Sequence, residues 1–265
     1  SKTNEFSETN IVTNGLLLSN KKIERLIEQK NFKVLAVSID TIGNVNRDFK
    51  KNQWQKLVEQ LDKFISLRDK KDHKAALDIK TVILDQNIED LFKIHQVVTQ
   101  TLKADTHSLQ LLKGAEIQHS DLMFDFQKID DNYEAYHYQK FDKLIDQLNL
   151  IKDFDYKHGY KTYLHPNLIN LSNKEKLKKN DLIYLNNKKH DPKYFSTCYA
   201  PWSSVHINVD GNLFPCMAVS MGNVKTTNLS EIVFSDKFKK FKSIIRQKGT
   251  INGCNRCGYL KPREF

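Results

Sequence analysis

Val34–Ile39 is the stretch that most narrows what this chain can become. Its residues, Val-Leu-Ala-Val-Ser-Ile, are almost unbroken apolar and rich in β-branched side chains. A run this short and this apolar reads as a strand buried on both faces, the habit of parallel sheets. Ile79–Leu84 reads as a second buried strand and Ser108–Leu112 as a further one. Apolar residues recur at helical spacing around them: Ile23, Leu26 and Ile27; Trp54, Leu57, Val58, Leu61, Phe64 and Ile65; then Ile88, Leu91, Phe92, His95 and Val98. Asp85 and Asn87 read as caps of the last of these helices. A short run, Ile11–Thr13, closed by the turn Asn14–Gly15, opens the series. Strands alternating with helices make βα units, hence an α/β fold with a parallel sheet or barrel. In a barrel the site lies at the C-terminal strand ends, which places Asn14, Ser38, Asp40, Asp85, Asn87 and Lys113 around one mouth.

The pattern changes after residue 128. A long helix is predicted from Asp130 to Ile151, carrying Tyr133, Tyr136, Phe141, Leu144, Ile145 and Leu148. A polar Lys/Asn-rich connection with Pro166 and a helix from Asn173 follow. The sequence therefore divides into residues 1–128, a helical bridging segment 129–195, and a cysteine-bearing module 196–265.

The chain has 265 residues, of which 39% are hydrophobic, enough for one large core or two smaller ones. No run approaches the ~18 apolar residues of a membrane span. The first ten residues lack the apolar core of a signal peptide. There is no initiator Met, so the chain reads as processed or cut from a longer one. Thiols at metal-ligand spacing without an export signal predict the cytoplasm. The net charge is +10, from 42 Lys+Arg against 32 Asp+Glu. Much of the Lys falls on helical faces, in 174–189 and 237–242, and reads as a solvated surface. No zinc-finger, helix-turn-helix or RNA-recognition signature points to a nucleic acid.

All four cysteines lie in the last quarter: Cys198, Cys216, and a CxxC formed by Cys254 and Cys257. Val205, Ile207 and Val209 alternate with His206 and Asn208, as in a half-buried strand. Asp210–Gly211–Asn212 is a hairpin turn signal, and Leu213–Phe214 begins the return strand. This hairpin predicts that Cys198 and Cys216 approach one end. Ser230 reads as the cap of one helix carrying Ile232, Val233, Phe241, Ile244 and Ile245. Gly249 and Gly253 then break the chain before the CxxC. Four thiolates converging from a hairpin and a loop suit tetrahedral zinc or an iron–sulfur cluster. The nine histidines are dispersed, with no HxxxH or HxH spacing. Pro201 and Trp202 beside Cys198 either shield it or simply pack the core.

Together these residues resemble a known family. Cys198-Tyr-Ala-Pro-Trp202, a strand, Asp210-Gly211, Pro215-Cys216, Gly222-Asn223-Val224, a Leu229-Ser-Glu-Ile232 helix and the terminal CxxC are similar to the auxiliary-cluster module of radical SAM enzymes. That module is called SPASM in its full form and twitch in its short form. Its opening signature is a cysteine, a variable gap, a glycine, four residues and a cysteine; here twelve residues separate Cys198 from Gly211, and four separate Gly211 from Cys216. Thr13-Asn14-Gly15 and Val37-Ser38-Ile39-Asp40 resemble the third and fourth strands of the radical SAM barrel.

The resemblance implies a partial (β/α) barrel lacking its first βα units, followed by a small α+β cluster module. It implies one auxiliary [4Fe–4S] cluster on Cys198, Cys216, Cys254 and Cys257, in an electron-relay or structural role. It implies that Asn14, Ser38 and Arg47 lie near S-adenosyl-L-methionine (SAM), and that the substrate is a peptide or protein. The electron donor would be a flavodoxin or ferredoxin. The CxxxCxxC motif that would hold a second [4Fe–4S] cluster, the one that cleaves SAM, is missing before Cys198, which implies an N-terminally shortened chain, the alternative being a relative that naturally lacks that cluster. The further cysteines of a full SPASM pattern are also missing after Cys257. The catalytic residues are unassigned. The alternative is a four-thiolate zinc module with a basic surface for a protein or nucleic acid.

Overall fold

The computed structural model describes residues 8–43, 52–112, 136–168, 174–185, 194–216, 219–249, 254, 256–261 and 263. The chain divides into two compact units. One comprises Ser1–Leu111 with Tyr138–His165, the other Leu112–His137 with Pro166–Phe265.

The first unit runs β1 (Thr9–Thr13), α1 (Asn20–Ile27), β2 (Phe32–Ser38), α2 (Gln53–Lys70) and β3 (Ala76–Ile83). A 3-10 turn, Ile88–Asp90, leads into α3 (Leu91–Gln96) and a π-helical turn, Val97–Thr101. Then come β4 (Thr106–Leu111), α4 (Phe141–His158) and β5 (Thr162–His165). The five strands are all parallel and lie in the order β1-β2-β3-β4-β5. Every crossover therefore steps the same way across the sheet. A doubly wound sheet reverses at a switch point, whereas a barrel wall does not. The fold is α/β with the wall of a partial (β/α) barrel, as the sequence predicts.

One face of this sheet is the core. Leu35, Val37 and Ile39 from β2 and its end, with Leu77 and Ile79 of β3, cluster with Leu57, Leu61 and Phe64 of α2 and with Ile94 and Val98. Each such side chain contributes about 1.5–3 kcal/mol on full burial. Gly15 follows β1 at φ +77°, and a Cβ there would lie 2.5 Å from Leu57 Cδ1 and 3.3 Å from Val37 Cγ1. The turn requires glycine both for its backbone and for its space.

Three local expectations change. Among the described residues the long helix begins at Phe141, and Tyr136 and Tyr138 precede it. Tyr138 is buried and donates its hydroxyl to Ile83 O at 2.8 Å. Asp85 does not cap the helix after it. Its carboxylate accepts Lys140 N at 3.0 Å and Gln139 N at 3.3 Å, holding the entry to α4. Asn87 builds the loop after β3 instead of capping: Nδ2 donates to Asp40 O and Val82 O, both at 2.9 Å, and Oδ1 accepts Leu84 N at 2.8 Å. The strand β5 lies in what the sequence presents as a polar connection. It sits at the sheet edge, partly exposed, so it never needed the apolar run that marks β2.

The second unit contains α5 (Lys174–Leu185), α6 (Ala200–Ser203), β6 (His206–Ile207), β7 (Asn212–Phe214), β8 (Gly222–Asn223), α7 (Leu229–Val233) and α8 (Asp236–Lys248). Its three strands are antiparallel, in the order β6-β7-β8. The single helix expected after Ser230 is two helices. Asn228 caps α7, accepting Ser230 N at 3.0 Å, and Ser235 caps α8, accepting Phe238 N at 3.2 Å. The hairpin forms, but its apolar side faces out: Ile207 is 49% exposed and Val209 95%. Asn208 explains the reversal. Its Oδ1 accepts Asp210 N at 3.0 Å and Asn212 N at 2.9 Å, so this side chain turns inward to build the turn. Period-two alternation then sends Val205, Ile207 and Val209 outward. Among the described residues no helix is long and apolar enough to cross a membrane.

Candidate functional site

All four cysteines lie in the second unit, and none forms a disulfide. Backbone pairing returns the chain after the CxxC to the chain before Cys198. Ser196 N donates to Lys261 O at 3.1 Å and Arg263 N to Tyr194 O at 2.8 Å. Cys198 N donates to Gly249 O at 3.4 Å, placing it beside the end of α8. Cys257 N donates to Cys254 O at 3.2 Å, closing the CxxC as a turn. Burial pushes the Cys198 thiol up, a backbone hydrogen bond from Ala200 opposes this, and the Cys257 charge adds to it. Burial, with the Cys257 charge, likewise pushes the Tyr184 hydroxyl up. Cys257 is therefore within electrostatic reach of both Cys198 and α5. Cys254 is buried, and the other three are half-buried. Pro201 is buried, while Trp202 lies under the Arg246 guanidinium, 5.3 Å from its ring centre.

Gly211, the fixed glycine of the spacing, has a clear physical role. It sits at φ +90°, and a Cβ there would lie 2.8 Å from Asn223 Oδ1 and 3.0 Å from Lys225 Cγ. Gly211 N donates to Asn208 O at 3.0 Å, and its carbonyl accepts Val224 N at 2.8 Å. The residue thus closes the hairpin and locks β8 against it, which fixes β7 and the Cys216 that follows. As donors, four thiols in one unit fit a soft metal centre. Among the described residues, no three His, Cys, Asp or Glu side chains are gathered at ligand distance.

The strand-end residues of the first unit have separate fates. Asn14 is exposed, and its Oδ1 accepts Leu16 N at 3.2 Å in the turn after β1. Ser38 ends β2 opposite Lys80. It stands between Val37 and Ile39 of the core, so it takes the sheet's other face. Arg47 and Lys113 lie outside the described residues. That other face is polar, which the sequence reading missed. Asp78 is buried there and accepts Thr106 Oγ1 at 2.8 Å and Ser108 Oγ at 2.9 Å, with Lys80 Nζ at 3.1 Å. The alternation Leu77-Asp78-Ile79-Lys80 carried the signal.

Under the helix-facing side, two of the dispersed histidines meet. His95 and His107 are buried and stacked, with Nδ1 atoms 3.0 Å apart. Thr81 donates its hydroxyl to Ile39 O at 2.6 Å, so His107 Nε2, 2.9 Å away, must donate to Thr81. Neutral His107 then accepts from His95 Nδ1, and His95 Nε2 stands 2.9 Å from Asp155 Oδ1. Burial, with His95 adding, lowers His107 to about 3. Burial also lowers His95, against the opposing pull of Asp155. This network is an internal brace of the unit.

Residues 198–258 match the SPASM family model, described as an iron–sulfur cluster-binding domain. The expected cluster module is thus borne out over that span. No curated protein matches the chain. Among solved structures, the chain is similar to native anSMEcpe with bound AdoMet and Cp18Cys peptide, at 16% identity and TM-score 0.49, covering 90% of this chain and 60% of that one. It is also similar to BtrN in complex with AdoMet and 2-DOIA, at 20% identity and TM-score 0.32, covering 90% of this chain and 78% of that one. The chain therefore spans 60% of the anSMEcpe chain's length.

Proposed function

We propose that this chain works in a radical SAM enzyme and holds one auxiliary [4Fe–4S] cluster on Cys198, Cys216, Cys254 and Cys257. The match of residues 198–258 to a cluster-binding domain carries the reading. The parallel sheet in sequential order supports it. When bound, SAM and a second [4Fe–4S] cluster would supply a 5′-deoxyadenosyl radical for hydrogen abstraction from a peptide or protein. The four thiolates would saturate the auxiliary cluster, suiting them to electron relay or to structure. The burial that raises the Cys198 thiol means that ligation, not solvent, is needed to keep it ionised. Asn14, Ser38 and Arg47 would stand at the SAM end of the sheet. The electron donor would be of the flavodoxin or ferredoxin class, and the compartment the cytoplasm.

Anaerobic reconstitution with ferrous iron and sulfide tests the metal. Uptake of about four irons per chain with a broad band near ~400 nm is expected. Serine at each of the four cysteines should lower the iron content. Uptake of one zinc, with no iron and no such band, sinks the cluster reading in favour of a four-thiolate zinc module.

A further inference from the structure

Between the two cysteines of the CxxC sits an arginine that no solvent reaches: Arg256 is 0% exposed. A buried guanidinium is tolerated only when paired and hydrogen-bonded. Arg256 meets that demand with a fork. Nε donates to Asp181 Oδ1 at 2.7 Å and Nη2 to Asp181 Oδ2 at 2.6 Å. Nη1 donates to the carbonyls of Leu112 at 2.7 Å and Tyr136 at 2.6 Å. Four hydrogen bonds thus converge on one residue of the CxxC turn.

The backbone makes the arrangement more telling. Arg256 lies at φ +44°, in the left-handed region. That conformation brings the Cβ of a non-glycine residue too close to the following carbonyl oxygen and is strained. Glycine would hold the turn without that strain, so the side chain must contribute something that offsets it. Asp181 lies on the buried face of α5, with Asn180 and Tyr184. Asn180 Nδ2 donates to Leu168 O at 2.9 Å, and the Tyr184 hydroxyl to Asn167 O at 3.2 Å, so α5 is itself held.

We infer that Arg256 is the positioning residue of the CxxC, fixing the backbone of Cys254 and Cys257 through Asp181 before any metal binds. The inference rests on reading these cysteines as ligands, and not on which metal they take. Lysine cannot substitute, because its three donors sit on one nitrogen and cannot reproduce the planar fork that makes four hydrogen bonds, two to one carboxylate and two to separate carbonyls. Asp181 also cancels the charge of Arg256, so the pair shapes the loop without leaving a bare cation beside the thiols.

The test is site-resolved alkylation of the metal-free full chain with iodoacetamide, read cysteine by cysteine by mass spectrometry. Arg256→Lys should speed alkylation of Cys254 and Cys257 by about tenfold, as expected if the loop opens locally. Cys198 and Cys216 should stay within about twofold of the unmodified chain. Asp181→Asn, which keeps the side-chain shape, should produce the same selective rise and decides the matter if Arg256→Lys does not fold. A uniform rise at all four cysteines, or no rise at any, overturns the inference. Loading the same proteins with ferrous iron and sulfide, or with zinc, separates the two readings. A selective rise in a protein that takes only zinc defeats the cluster and leaves Arg256 in its role. A protein that takes iron but shows no selective rise does the reverse.

Discussion

Single residues in left-handed backbone set the shape of the cysteine module. Gly211 and Arg256 both adopt positive φ, and they do so for opposite reasons. At Gly211 the conformation excludes a side chain, while at Arg256 a side chain is retained despite it. Gly211→Ala should therefore lower stability by about 1–3 kcal/mol, read by urea unfolding of the metal-free chain. Iron uptake after reconstitution should fall with it, and an alanine variant of unchanged stability and iron content would contradict the role given to this turn. Gly211 was legible in the sequence because it stands at fixed spacing beside Asp210. Arg256 was not. A lone arginine in a CxxC says nothing about a carboxylate on a helix far earlier in the chain, and only folding brings the two together.

Among the elements, β3 and β4 carry two polar systems on opposite faces. Asp78, Lys80, Thr106 and Ser108 occupy one, and Thr81 and His107 the other. The second predicts a pH response. His107 takes its ordinary pKa near 6.5 when unfolded and about 3 when folded. Between those values the unfolded chain binds more protons, so stability rises with pH and is lost as pH falls. From pH 7 to pH 5 this single group should remove about 2 kcal/mol. Thermal unfolding across that range checks it. His107→Gln should flatten the slope, and an equal slope in the variant would place the acid sensitivity elsewhere. The parallel strands were legible through the apolar residues they turn to the helices, Leu35 and Val37 of β2 and Leu77 and Ile79 of β3, while the polar residues between them on β3 went unread. β5 escaped because an edge strand needs no such apolar row, and the hairpin face was reversed because Asn208 serves the turn and not the surface. The histidine pair escaped because its members come from different βα units and carry no spacing signal.

At the scale of the whole molecule, the chain joins a sheet that is stable through packing to a module that matches an iron–sulfur cluster-binding domain. Metal binding only to the folded module should raise its apparent stability by mass action, about 2.7 kcal/mol at a free metal concentration one hundred times Kd. Differential scanning calorimetry with and without bound metal checks this, and stripping with a chelator should reverse the gain. A Tm that is indifferent to metal would mean that the four thiols do not ligate it. The strand β1 has a consequence of another kind. It stands last in the sheet order, Val12 is 64% exposed, and among the described residues no strand pairs with its outer side. A row of unspent amide and carbonyl groups next to exposed Ile11 and Val12 is a template onto which a strand from another molecule can crystallise. The apparent molar mass of this chain from light scattering should accordingly grow with protein concentration, and Val12→Lys should hold it constant. The handling limit of the protein in solution would then be set by one strand's margin, in a different unit from the one that carries the cysteines.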